Sequence, residues 1–121
     1  MTNKFFVPYE TAKLLKENGY NEECTFYWGD GIIRIGHQLR TNKELTDNTP
    51  NWLYNECISA MTYHEVLDWL EGKGIRIYAE YCNDWVGFID AGETKETEAT
   101  GIYTTREEAL NAAILKALEM L

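Results

Sequence analysis

Residues 62–90 read TYHEVLDWLEGKGIRIYAEYCNDWVGFID, and this stretch decides the fold. Thr62 and Glu65 have the capping-box spacing, in which a hydroxyl and a carboxylate each satisfy an orphan backbone N–H. Tyr63, Val66, Leu67 and Leu70 then recur on one helical face, with Trp69 beside it. His64, Glu65, Asp68 and Glu71 fall on the opposite, solvated side. Gly74 offers the left-handed conformation that closes a helix, and it predicts a contact between Leu70 and Ile75 across the stop. The period then becomes alternating. Ile75, Ile77, Ala79 and Tyr81 share one face, and Arg76, Tyr78 and Glu80 share the other. Cys82-Asn83-Asp84 is a turn by composition, and Trp85 to Asp90 returns antiparallel. Gly87 marks a bulge or the close approach of another segment.

The flanking segments repeat these devices. Pro8 suits a first helical turn, and a helix follows to about Asn18. Gly19 stops it, with Leu15 set against Tyr20. Cys24 to Trp28 alternates, Gly29-Asp30-Gly31 is a hairpin signal, and Ile32 to Leu39 returns with Ile33, Ile35, His37 and Leu39 on one face. The polar run from Thr41 to Asn51 reads as an exposed loop. Trp52 to Ala60 is either a third short strand or an irregular lead-in. After Asp90, AGETKETEAT is a hairpin tip or loop and Thr100 to Thr104 a last strand. Thr105 and Glu108 repeat the capping box, and Arg106 to Leu121 is helical. Leu110, Ile114, Ala117, Leu118 and Leu121 form its stripe, with Leu115 and Met120 off it. The expected fold class is α+β: one domain, residues 1–121, with an antiparallel sheet of four to five strands and three helices in the order α-β-β-α-β-β(-β)-α.

Composition narrows the function. The 121 residues carry 20 acidic and 11 basic side chains, a net charge of −9. Residues 1–40 are neutral, so the acidity lies in the remaining two-thirds. Such a chain repels phosphate backbones and is not expected to bind nucleic acid. The charge by itself serves solubility. Three cysteines without a CxxC predict free thiols in or near the core of a cytoplasmic protein. No apolar run is long enough for a signal peptide or a membrane span.

Three phrases, FVPYETAKLLKENGYNEEC, ISAMTYHEVLDWLEGKGIRI and TTREEALNAAILKALEML, resemble in that order a family of small phage and mobile-element proteins from gut bacteria. The resemblance covers most of the chain and is firmest at Val7-Pro8-Tyr9-Glu10, at Tyr63 to Leu70 and in the closing helix. Met61 stands where relatives usually carry proline. The resemblance implies a small intracellular α+β protein of phage or mobile-element origin, and it transfers no catalytic residue.

No catalytic constellation stands out. His64 and Asp68, spaced i, i+4 with Glu65 between them, are the weak candidates for a metal or acid/base pair. The commoner role of such a set is a solvated helix face. His37 has no second His or Cys at ligand spacing. The single serine, Ser59, sits in no elbow motif, and nothing activates Cys57. The glycines at 29, 31 and 36 form no phosphate loop. No cofactor is expected. Tyr27, Trp52, Tyr54, Tyr78 and Trp85 are many for so small a core: either surplus Trp and Tyr stand on the surface as contact residues, or each Tyr packs its ring and exposes its hydroxyl. The leading expectation is therefore a non-enzymatic protein-interaction protein whose surface carries Trp52, Tyr54, Tyr78, Trp85, Glu93, Glu96 and Glu98. In one form of it an acidic face competes for a basic, DNA-binding patch on a host protein. Leu115 and Met120 suggest contact with a second copy. The alternatives are a metal- or ligand-binding domain or enzyme using His64, Asp68 and Glu65, and a minor virion component.

Overall fold

In the computed structural model, which describes residues 3–48, 57–91 and 97–121, contacts gather in two compact units, Met1–Thr62 and Tyr63–Leu121. Both are α+β and both are built on an antiparallel three-stranded sheet. The expected class holds, but among the described residues six strands form two sheets instead of one, and there are four α-helices instead of three.

The first unit opens with a 3-10 turn at Asn3–Phe5. Phe6 bridges to Thr62, and the Val7 N–H donates to the Met61 carbonyl at 3.0 Å. Pro8 is the N-cap of helix α1, Tyr9–Glu17. Past its end the Tyr20 N–H reaches the Leu15 carbonyl at 2.9 Å and the Gly19 N–H reaches that of Lys16 at 3.1 Å, with Gly19 at φ 94°. These are the two bonds of a Schellman stop, and Leu15 and Tyr20 are both buried, as the spacing predicts. Strands β1 (Cys24–Gly29) and β2 (Ile32–Arg40) form a hairpin. Its two-residue turn has positive φ at both Asp30 (56°) and Gly31 (82°), matching the twist of the strands. Strand β3 (Cys57–Ser59) pairs with the other edge of β1. Trp28 anchors the core, with Tyr9 edge-on at 5.8 Å, and Phe6 meets Phe26 edge-on at 5.2 Å.

Two expectations for this unit are corrected. The polar run after Thr41 is not a loop through Asn48 but helix α2, Asn42–Asn48. Its start is another capping box: the Glu44 N–H donates to Thr41 Oγ1 at 3.2 Å, and the Thr41 N–H donates to Glu44 Oε1 at 3.1 Å. Leu45 is the buried contact of α2. Asn42, 3% exposed, is its polar anchor, donating to the Tyr20 carbonyl at 2.8 Å and accepting from the Ser59 N–H at 2.7 Å. The single apolar face expected of β2 is also broken. The pairing slips between Cys24 and Phe26, alternation is lost there, and Ile35 and Leu39 are exposed. The His37 side chain lies outside the described part of the structure. Within Trp52 to Ala60, residues 57–59 are strand; Trp52 and Tyr54 lie outside the described residues.

The second unit begins with helix α3, Tyr63–Glu71. Val66 and Leu70 are buried along its apolar face. Its stop follows the sequence reading. The Ile75 N–H donates to the Leu70 carbonyl and the Gly74 N–H to the Glu71 carbonyl, both at 3.0 Å, with Gly74 at φ 84°. Strand β4 (Arg76–Cys82) turns through Asn83, at φ 68°, into β5 (Asp84–Asp90). Strand β6 (Thr97–Tyr103) completes the order β4-β5-β6. It starts three residues earlier than expected, because Thr97, Glu98 and Ala99 already pair with Asp90, Ile89 and Phe88. Helix α4, Arg106–Leu118, packs on all three strands and ends short of Leu121, which is exposed. Thr105 caps it, accepting from the Glu108 N–H at 3.1 Å. Of the three free cysteines, Cys24 and Cys57 are buried as expected, but Cys82, at the β4–β5 turn, is exposed. Among the described residues no helix is long and apolar enough to cross a membrane.

Candidate interaction face

The two faces of the second sheet are told apart by Gly87. A Cβ there would collide with the Ala109 carbonyl of α4 and would lie 2.7 Å from Thr100 Oγ1. The odd positions of β5 therefore face the helix. Ile89 is buried there, with Ile77 opposite it on β4. The even positions, Val86 and Phe88, face the other way, and so do their partners Tyr78 on β4 and Ala99 and Ile102 on β6. Ile102 keeps this face because the pairing slips by one residue between Val86 and Phe88.

The face away from α4 is thus apolar across its middle. Tyr78 and Phe88 stack with ring centroids 5.1 Å apart and planes 19° from parallel. They and Val86 are half-buried, while Ile102 is 72% exposed. The margins are charged. Arg76, Glu80, Asp84 and Asp90 occupy the same-parity positions around the aromatic pair. Residues 63–121 as a whole carry twelve carboxylates against five basic side chains.

The sequence-predicted residues separate on this frame. Tyr78 lies on the open face. Trp85 lies on the helix-bearing face, edge-on to Tyr81 at 5.3 Å. Glu98 also points to the helix side, where its Oε1 meets Lys116 Nζ at 2.8 Å. That hydrogen bond, then the charge of Glu98, raises the pKa of Lys116. Glu93 and Glu96 lie outside the described residues. Leu115 is half-buried and Met120 is 45% exposed beyond the last turn of α4. Phe88, Val86 and Ile102 were not singled out from sequence. For Phe88 and Val86 the signal is the even-numbered alternation of β5, which its many apolar residues obscure.

His64 and Asp68 do meet, Nε2 to Oδ2 at 3.4 Å, but the two side chains are 86% and 65% exposed. Among the described residues no three metal-ligating side chains gather. An exposed two-member pair has neither the ligand count nor the desolvation that a tight site needs. Such an i, i+4 pair contributes a few tenths of a kcal/mol at most, roughly 0.2–0.5.

No family model matches the chain, and neither a curated protein nor a solved structure matches it.

Proposed function

We propose that this chain is a non-enzymatic interaction protein that binds a partner protein through the face of the second sheet turned away from α4. The observation that carries the reading is the stacked Tyr78–Phe88 pair, continued by Val86 to the exposed Ile102. Rigid aromatics lose little conformational entropy on binding and dominate contact energy. The carboxylates of Glu80, Asp84 and Asp90 around them favour a partner with basic residues at the rim of its contact patch. A host protein's DNA-binding surface has that chemistry, and competition with DNA for it is the particular form of the proposal. The phage or mobile-element setting implied by the sequence resemblance fits an accessory role of this kind in the cytoplasm.

Affinity capture from lysate of the source organism at moderate salt tests the reading, with an unrelated domain of similar charge as control. Retention of a basic partner by the wild type and its loss in Ile102→Glu supports the assigned face. Equal retention by the variant removes that face from the account.

A further inference from the structure

The same sheet has one long, regular edge. β4 forms one edge of the order β4-β5-β6, so half of its backbone N–H and C=O groups point away from β5. The other sheet edges among the described residues are blunted. β2 and β6 are each interrupted by a register slip, and β3 is described over Cys57–Ser59 alone. β4 is unbroken: its seven residues, Arg76 to Cys82, pair in one continuous register with Asp90 to Asp84. A regular edge of that length is a template for another strand.

We propose that β4 pairs antiparallel with β4 of a second copy about a two-fold axis at Tyr78, joining two three-stranded sheets into one of six. In that register Arg76 lies opposite Glu80 of the other copy, and Glu80 opposite its Arg76. Both side chains are exposed, and both stand on the face of Tyr78. The two cross-strand ion pairs thus form together and specify the register. Shifting the axis by one pleat, to Ile77 or Ala79, puts tyrosine opposite a charge and forms neither pair. Tyr78 meets its own copy across the axis. Strands in a sheet lie about 4.8 Å apart, close to the 5.1 Å between the Tyr78 and Phe88 rings. The new contact extends that stack to the order Phe88, Tyr78, Tyr78, Phe88. The ladder is short against stable interfaces of roughly 1,200–2,000 Å², so the dimer dissociates on dilution. The pairing uses the edge of the sheet and partner binding its face, with Glu80 and Tyr78 common to both; sedimentation reads the first and capture the second, so each can fail without the other.

Sedimentation velocity on the full chain across a dilution series reads the equilibrium directly. The wild type is expected to approach twice the 14.0 kDa chain mass at the highest concentrations. Glu80→Arg sets like charges opposite each other twice and weakens the dimer at least about tenfold. The double exchange Arg76→Glu with Glu80→Arg restores both pairs in reversed sense and recovers the dimer. A wild type that stays monomeric throughout overturns the proposal. So does a Glu80→Arg chain that dimerises unchanged, a double exchange without recovery, or a dimer lost instead on Met120→Lys. Circular dichroism of each variant separates lost pairing from lost folding.

Discussion

Gly87 of β5 lies directly under the carbonyl oxygen of Ala109 in α4, so close that no side chain fits between strand and helix. Thr100 closes the same gap from β6, its hydroxyl donating to the Gly87 carbonyl at 3.2 Å. This contact sets how near α4 sits to its sheet, and hence which residues are left for the other face.

Gly87→Ala is expected to cost about 3 kcal/mol, because the obstacle is backbone and cannot rotate away. Gly74→Ala meets nothing within 4 Å among the described residues and carries only its left-handed φ, so about 1–2 kcal/mol is expected. Urea denaturation of both variants gives the comparison. A smaller loss at Gly87 than at Gly74 contradicts the packing described.

Asn42 and Ser59 make opposite predictions within the first unit. Asn42→Ala removes both bonds and leaves the Ser59 N–H unsatisfied in a buried place, a cost of roughly 1–3 kcal/mol. Ser59 Oγ, by contrast, is buried with no hydrogen-bond partner among the described residues. Ser59→Ala should be neutral or stabilising by up to about 1 kcal/mol. A strongly destabilised Ser59→Ala protein would show that the hydroxyl has a partner after all.

Tyr63 gives a pH signature. Burial first, and the Glu107 carboxylate second, push its hydroxyl from the ordinary 10.0 up to about 12. The folded state therefore holds the proton more tightly than the unfolded chain does. That contribution is whole below pH 10 and is lost as pH rises through about 12. Alkaline titration of thermal stability should steepen in this window and flatten in Tyr63→Phe. Identical profiles would contradict the assignment.

The exposed His64–Asp68 pair should be thermodynamically quiet. His64→Ala is expected to change stability by less than about 0.5 kcal/mol, and divalent ions should leave the melting temperature unmoved. A zinc-dependent rise abolished by His64→Ala would revive the metal-binding alternative.

What the sequence disclosed follows from how local each signal is. Helix stops at Gly19 and Gly74, the turn at Asp30-Gly31 and the cap at Thr105 depend on neighbours within a few residues, and each stands as read. Gly87 was readable as a bulge or close approach, and it is both. The Thr41–Glu44 box has the same spacing as Thr105–Glu108, yet the polar residues after it outweighed it; one buried leucine was too little periodicity. Which strands share a sheet, and which face of β5 meets α4, depend on contacts distant in sequence. For that reason Tyr78 and Trp85, grouped by chemistry, prove to stand on opposite faces, while Phe88 and Ile102 passed unnoticed.

A face-resolved capture comparison tests whether the face of Tyr78, Phe88 and Ile102 is the partner-binding surface. Wild type, Ile102→Glu on the open face and Tyr81→Thr on the helix-bearing face are immobilised side by side, and retained proteins are quantified by mass spectrometry. Both substituted residues are well exposed, so both variants should fold. One partner is expected to be retained by the wild type and by Tyr81→Thr and lost from Ile102→Glu. Loss from Tyr81→Thr with retention by Ile102→Glu would contradict it, as would no partner above the charge-matched control.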